Sequence, residues 1–144
     1  MYLTTKCRYG MRALAAIARA YGKQPVKRKD IKRREDITEG YLENLLTTLK
    51  NDGHLLTVRG AGGGFMLTRP PGDISLLDVY RCLEGPTAPV PCLTNPRYCG
   101  KTETCVTRPL WGRIHRSIEE ILGTTTLRDL LEEADSKGNE RSAP

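Results

Sequence analysis

The stretch TEGYLENLLTTLKN, from Thr38 to Asn51, carries the pattern that decides the fold. Its leucines fall at spacings i, i+3, i+4 and i+7, which places them on one face of an α-helix. These leucines are Leu42, Leu45, Leu46 and Leu49. Thr38 is a good N-cap, and the run Asn51-Asp52-Gly53 is typical of a helix end. The stretch therefore predicts a helix with one firmly buried face.

The residues immediately before this helix form a shorter, basic unit. Lys27 to Arg34 predicts a helix anchored by Ile31, and Glu35-Asp36-Ile37 predicts the turn that follows it. Two helices joined by a tight turn are the helix-turn-helix layout, in which the second helix enters the major groove of DNA.

The residues after the helix predict a β-hairpin. Leu55 to Arg59 and Phe65 to Thr68 read as short strands, and the glycine-rich run from Gly60 to Gly64 joins them. A phosphate-binding loop is excluded, because such a loop needs the sequence Gly-Lys-Ser/Thr at the start of a helix and this chain lacks it here. We interpret the hairpin as a wing, with Arg59 placed to reach a minor groove.

The face of the second helix opposite the leucines has the donors and acceptors that base reading requires. The candidate DNA-binding residues are Lys27, Arg28, Thr38, Gly40, Tyr41, Glu43, Asn44 and Arg59. Asn44 is suited to pairing with adenine, and Glu43 to accepting a hydrogen bond from cytosine. Lys27 and Arg28, together with Lys32 and Arg33, are expected to contact backbone phosphates. Ordinary solvated helix residues are the alternative interpretation of this pattern.

Charge is distributed unevenly along the 144 residues. Residues 1–69 contain 14 Lys and Arg against 6 Asp and Glu, whereas residues 70–144 contain 9 against 11. A basic N-terminal half fits a polyanionic partner such as double-stranded DNA, although a solvated surface can have the same composition. No apolar run is long enough to cross a bilayer and no signal-peptide layout is evident, so we expect a cytoplasmic protein without a membrane partner.

Three of the five cysteines, Cys92, Cys99 and Cys105, lie in a segment without helical or strand periodicity. This proline-rich segment runs from Gly85 to Pro109, and a loop of that length is uncommon in a compact domain unless something organises it. The cysteines lack the close pairs typical of structural zinc, and their wider spacing suits an iron–sulfur cluster better. Unpaired thiols, a thiol–disulfide switch and zinc stay open as alternatives.

The other two cysteines fall on predicted helices. Cys7 lies on the apolar face of a helix expected from Thr4 to Tyr21, which makes it a candidate core residue. Cys82 lies beside the apolar face of a helix that begins after Ser75, and we interpret it as a partly packed structural thiol.

A long helix is expected after Pro109. Its apolar residues repeat at intervals of three and four, which predicts a coiled-coil-like dimer interface. These residues are Trp111, Ile114, Ile118 and Ile121. Packing of this helix on its own domain is the alternative. A last helix capped by Thr126 follows, and the polar residues 134–144 are expected to be a disordered tail.

Three segments carry a resemblance to a known family. LTTKCRYGMRAL (Leu3–Leu14), YLENLL (Tyr41–Leu46) and VRGAGGGF (Val58–Phe65) resemble segments of the IscR/NsrR family of bacterial iron–sulfur transcription regulators. The resemblance extends to about Glu133. It implies a homodimeric winged-helix regulator with a [2Fe-2S] or [4Fe-4S] cluster. It also implies that the three loop cysteines matching Cys92, Cys99 and Cys105 hold this cluster.

Two departures from the family leave the fourth cluster ligand open. Members that regulate cluster assembly have a histidine where this chain has Arg108, and members that sense nitric oxide use a carboxylate where this chain has Arg8. A guanidinium group stays protonated and is a poor metal ligand. The remaining candidates are Cys7, Glu103, His115 and a small exogenous ligand.

We therefore expect a mostly α fold with a small β-hairpin, namely a winged helix-turn-helix domain plus a long dimerisation helix. The division is residues 1–70 for DNA binding, 73–109 for a helix and the cluster-binding loop, 110–133 for the dimerisation and C-terminal helices, and 134–144 for the tail. The expected function is DNA-binding transcription regulation that senses iron–sulfur status, redox state or nitric oxide. A cluster-free thiol–disulfide regulator is one alternative, and an iron–sulfur carrier or electron-transfer protein is an alternative from another class. No nucleophile with a base and an orienting group is evident, so we do not expect an enzyme.

Overall fold

Six α-helices and one antiparallel hairpin make up the computed structural model, which describes residues 1 and 3–141. The elements are α1 Thr5–Ala18, α2 Arg28–Glu35, α3 Glu39–Asn51, β1 Leu55–Val58, β2 Gly64–Leu67, α4 Leu76–Glu84, α5 Arg108–Thr124 and α6 Leu127–Arg141. The mostly α winged helix-turn-helix prediction is confirmed. Within the described residues, no helix is both long enough and apolar enough to span a membrane.

The hydrophobic core lies where α1 packs against α2, α3 and α4. All four leucines of the α3 face are buried, as predicted, and so is Ile31 of α2. Burying one such side chain contributes about 1.5–3 kcal/mol to folding. The leucine face therefore fixes the rotation of α3, and the polar face of α3 is turned toward solvent.

Helix α1 is shorter than predicted and buries a different set of residues. It ends at Ala18, and Tyr21, which was expected to continue the apolar stripe, is 43% exposed. The buried residues of α1 are mainly small: Cys7, Gly10, Ala13, Leu14, Ala16, Ile17 and Ala18. Because α1 packs against several helices, small residues let the backbones approach, and a pattern of large apolar residues does not reveal this. A Cβ atom at Gly10 would lie only 2.6 Å from Leu83 of α4.

The wing is slightly offset from its predicted strands. Leu55 pairs with Leu67 and Val58 pairs with Gly64. The chain before α2 adds a short third segment, since Val26 and Phe65 exchange backbone hydrogen bonds of 2.9 and 2.8 Å. A Cβ atom at Gly64 would come within 2.5 Å of the Val26 carbonyl oxygen. Glycine is thus required at this position by the close approach of the two backbones.

Gly64→Ala is expected to lower the free energy of unfolding by about 1–3 kcal/mol, because the added methyl group meets backbone that cannot rotate away. Gly62→Ala is the matched control, since a Cβ atom at Gly62 meets nothing within 4 Å. Its effect should stay within about 0.5 kcal/mol. Urea denaturation followed by circular dichroism measures both values, and equal stability of the two variants would contradict this account of the wing.

The C-terminal helix extends into the segment expected to be a disordered tail. Helix α6 continues to Arg141, so that prediction is wrong for residues 134–141, whereas residues 142–144 lie outside the described part of the chain. Asp135 pairs with Arg19 of α1 at 2.8 Å, and Lys137 pairs with Glu133 one turn away. These ion pairs support a helix in a segment that lacks large apolar residues.

Candidate DNA-binding surface and metal centre

The turn between α2 and α3 creates the predicted helix-turn-helix. Asp36 adopts the left-handed region with φ of 51°, which reverses the chain sharply after α2. Ile37 is buried and anchors the turn in the core. The predicted turn is confirmed at Asp36 and Ile37, whereas Glu35 is the last residue of α2.

The outer face of α3 presents the side chains predicted to read bases. Thr38, Gly40, Glu43 and Asn44 are exposed together on this face. Tyr41 differs, because it is half-buried and its ring packs edge-on against Tyr9 with the ring centroids 6.2 Å apart. Tyr41 thus also joins α3 to α1.

Sequence reasoning missed a further residue of this face. Thr47 is exposed and lies three and four positions beyond Asn44 and Glu43. Helical spacing places it one turn farther along the same surface, and extending the predicted face by one turn would have found it.

The acidic residues of α3 pair with basic residues of α2. Arg28 lies 3.4 Å from Glu39 and 3.3 Å from Glu43, and Lys32 lies 3.6 Å from Glu39. Exposed pairs of this kind contribute only about 0–1 kcal/mol to stability. Their effect is to hold two cations beside the first turns of α3 and to offset carboxylates that would repel phosphate. This role of Glu39 was not predicted.

The remaining basic candidates for DNA binding lie before α2 and on the wing. Lys27 is exposed immediately before α2, and Arg59 is exposed where β1 enters the wing loop. Exposed or partly exposed cationic side chains therefore lie on α2, immediately before it and on the wing.

The cysteine loop joins α4 to α5 and contains only short 3-10 turns at Pro91–Leu93 and Pro96–Tyr98. Its three thiols are free; Cys99 is exposed, and Cys92 and Cys105 are partly exposed. Within the described residues, the three sulfur atoms do not all lie within 4.8 Å of one another, as they would around a single metal ion. Clusters of two or four irons accept thiolates at wider spacing.

Two features at the start of α5 suit an anionic metal centre. Hydrogen bonds from the Thr107 hydroxyl and from the backbone N–H groups of Thr107 and Arg108 lower the pKa of Cys105. Arg108 donates from Nη2 to the Cys92 carbonyl at 3.4 Å, while its Nε is buried without a hydrogen-bond partner among the described residues. A thiolate-ligated iron centre fits this arrangement, because it would place negative charge beside an unpaired cationic donor.

The structure distinguishes between the candidates for the fourth cluster ligand by their position and burial. Glu103 and His115 line a cavity of about 600 Å³ together with Cys105. His115 Nε2 is 2.9 Å from the Thr87 hydroxyl. Cys7 is fully buried in the core, and burial raises the pKa of its thiol to about 11. The interpretation of Cys7 as a core residue is therefore confirmed, and its burial disfavours it as a ligand.

Helix α5 has no buried residue in the single chain. Polar contacts attach one side of it to the domain, since Glu119 accepts hydrogen bonds from Arg81 at 2.6 Å and from the Thr87 hydroxyl at 2.8 Å. The apolar face remains accessible: Ile114 is 37% exposed and Ile121 is 64% exposed, with Trp111 and Ile118 partly exposed beside them.

Comparison with known proteins decides the family. The family model described as "Rrf2: Iron-dependent Transcriptional regulator" matches residues 3–133. The chain belongs to the Rrf2 family. This Rrf2 protein is a transcription regulator and not an enzyme, as expected from the sequence.

Relatives of this Rrf2 protein match along nearly their whole length. Protein rrf2 of Nitratidesulfovibrio vulgaris is 40% identical over 134 residues, which cover 93% of this chain and 89% of that protein. The structure of CymR, the global cysteine regulator of Bacillus subtilis, has a TM-score of 0.80 at 35% identity and covers 92% of this chain and 98% of its own. The T. potens IscR structure has a TM-score of 0.77 at 36% identity, with coverage of 93% and 88%. The resemblance to IscR-type regulators is confirmed.

Proposed function

We propose that this Rrf2 regulator is a cytoplasmic homodimer that binds a promoter through α3 and the wing. We further propose that an iron–sulfur cluster held by Cys92, Cys99 and Cys105 controls this binding. The observation that carries the cluster proposal is the buried Nε of Arg108, which has no hydrogen-bond partner among the described residues. The same guanidinium group donates from Nη2 to the Cys92 carbonyl, and hydrogen bonds at this start of α5 lower the pKa of Cys105.

In the proposed DNA complex, polar side chains of α3 contact bases and basic side chains contact the DNA backbone or the minor groove. Asn44 and Glu43 contact base edges from the polar face of α3, with Thr38, Gly40 and Tyr41 at its N-terminal end. Lys27 and Arg28 contact phosphates and set the orientation of the helix in the groove, and Arg59 of the wing reaches the minor groove. On binding, phosphate oxygens replace Glu39 and Glu43 as partners of Arg28.

Asn44→Ala should lower affinity for the operator by about 1–3 kcal/mol and relax the base preference at one position. Asn44 is exposed, so the substitution leaves the core intact. Lys27→Ala is the matched contrast. Loss of a phosphate contact should lower the affinity for all DNA sequences alike, and should reduce the slope of log affinity against log salt concentration by about one. Fluorescence anisotropy against a panel of single-base operator variants measures both. An unchanged base preference in Asn44→Ala would remove Asn44 from the reading face.

In the proposed cluster site, three thiolates are the iron ligands and one cation lies beside them. Cys92, Cys99 and Cys105 ligate iron, and Arg108 offsets the negative charge of the thiolates. The cluster, when bound, supplies a redox-active and labile iron centre that responds to iron supply, oxidants or nitric oxide. We propose that the fourth ligand comes from the cavity beside Cys105, where Glu103 and His115 lie, and not from Cys7.

The cysteine loop is connected on both sides to elements that position α3. It follows α4, which packs against α1 and α3, and it leads into α5, the proposed dimer helix. Ordering of the loop would therefore change how the two α3 helices of a dimer are spaced. Two half-sites about 34–36 Å apart are sensitive to such a change.

A second sensing mode is favoured by one specific observation. Cys99 is exposed and its loop has free thiols, which suits a cluster-free thiol–disulfide switch, and a structural neighbour, CymR, is named a cysteine regulator. Anaerobic purification separates the two modes. A coloured sample with iron and sulfide supports the cluster, and a colourless sample without either supports the thiol switch.

A further inference from the structure

A second group of metal-binding side chains lies outside the cysteine loop, where α3 ends and the wing begins. Asp52 follows α3 directly, His54 precedes β1, and Cys82 lies on α4. One ligand atom from each residue lies within 4.8 Å of the others. None of these residues takes part in the proposed DNA contacts or cluster ligation.

His54 is the member of this group that points to a ligand. It is 1% exposed, and its Nε2 is buried without a well-directed hydrogen bond among the described residues. Asp52 Oδ2 lies 3.1 Å from this nitrogen. The poorly directed contact with Asp52 offsets only part of the desolvation cost of this buried nitrogen, and a metal ion between the three side chains would remove the rest.

We propose that Asp52, His54 and Cys82 bind one divalent transition-metal ion of the zinc class, with water as the fourth ligand. Carboxylate, imidazole and thiolate are the ligands that zinc takes in proteins. Tetrahedral bonds of about 2.0–2.3 Å separate ligand atoms by about 3.3–3.8 Å, so an inward shift of about 1 Å completes the site. The Asp52 side chain is 53% exposed, which gives the ion and its water a path from solvent.

Charge and protons balance at this site. The Asp52 carboxylate and the Cys82 thiolate together neutralise a divalent ion, and His54 binds as neutral imidazole. The thiol proton of Cys82 leaves to solvent when the ion binds. Before that, burial first and the nearby Asp52 second raise the pKa of Cys82 to about 11, so the metal-free thiol stays protonated. The bound ion would fasten the end of the DNA-reading helix to the helix that leads into the cysteine loop.

Arg69 opposes metal binding and provides a sharper test. Its Nη2 lies 3.5 Å from His54 Nδ1. When Nε2 binds the ion, the ring proton must reside on Nδ1, where it faces the guanidinium group of Arg69. Arg69→Gln removes this positive charge, so the variant should bind the ion more tightly than its parent.

Anaerobic titration with Co²⁺ tests the proposal on the full chain. The parent is the Cys92→Ser/Cys99→Ser/Cys105→Ser variant, which removes the loop thiols as competing ligands. We expect a saturable, one-to-one thiolate-to-cobalt charge-transfer band and a raised melting temperature with Zn²⁺. Cys82→Ala should abolish the band, Asp52→Asn should weaken binding by about tenfold or more, and Arg69→Gln should strengthen it. Cys7→Ala is the matched control and should leave the band unchanged.

Each contrary result overturns the proposal. A parent without the band shows that no such site exists, and a band that survives Cys82→Ala or disappears in Cys7→Ala assigns the thiolate elsewhere. Circular dichroism verifies that each variant is folded. Asp52→Asn changes an exposed side chain, so its affinity stays informative if Cys82→Ala proves unstable. Failure of this site leaves the cluster proposal intact, because the parent lacks the loop cysteines.

Discussion

We expect Ile114→Glu combined with Ile121→Glu to convert the proposed dimer into a folded monomer and to lower operator affinity by about 100-fold or more. Both side chains are substantially exposed in the single chain, so the substitutions leave its core unchanged. In a symmetric interface each new carboxylate appears twice and is buried without a partner. A monomer engages one half-site and loses the high effective concentration that links the second.

Light scattering coupled to size-exclusion chromatography measures the mass, and anisotropy measures the affinity. Glu120→Lys is the matched control, because Glu120 is exposed on another face of the same helix. It should stay dimeric with nearly unchanged affinity. A double glutamate variant that remains dimeric at micromolar concentration would show that the apolar face of α5 is not the interface.

We expect Cys105→Ser to remove the iron, sulfide and visible absorbance of the proposed cluster from the anaerobically purified protein, and Cys92→Ser and Cys99→Ser to do the same. A serine hydroxyl does not ionise at neutral pH and cannot replace a thiolate on iron. At Cys105, hydrogen bonds at the start of α5 already favour the thiolate form by lowering its pKa.

Cys7→Ala provides the comparison within the same chain. Cys7 lies on the core face of α1, and its thiol has a raised pKa, so its removal should leave the Mössbauer and absorption spectra unchanged. A changed spectrum in Cys7→Ala would instead make Cys7 a ligand. Retained iron in all three loop variants would rule out the loop as the cluster site.

The parts of the fold that local patterns encode could be read from the sequence. The leucine face of α3, the glycine-tipped hairpin and the structureless cysteine loop each depend on residues that lie close together in the chain. The order of these parts was sufficient to indicate a winged helix-turn-helix regulator. The membership of the Rrf2 family agrees with that interpretation.

The parts that depend on packing between distant segments could not be read in this way. The small residues of α1 are buried because several helices approach it, and α6 continues beyond Glu133 partly because Asp135 reaches Arg19 across the fold. The unpaired nitrogen of Arg108 and the meeting of His54 with Cys82 depend on the same kind of contact. Periodicity within one segment carries no information on any of these.

The central claim is tested most directly by comparing two promoter affinities. One is that of the oxygen-free holoprotein, and the other is that of the variant Cys92→Ser/Cys99→Ser/Cys105→Ser. Anisotropy titrations are run for both proteins under reducing conditions, after controlled oxidation and after nitric oxide. We expect the holoprotein and the variant to differ by about 5–150-fold in at least one state, and only the holoprotein to respond to the treatment. Equal affinity of the two proteins in every state would contradict control of DNA binding by the cysteine loop.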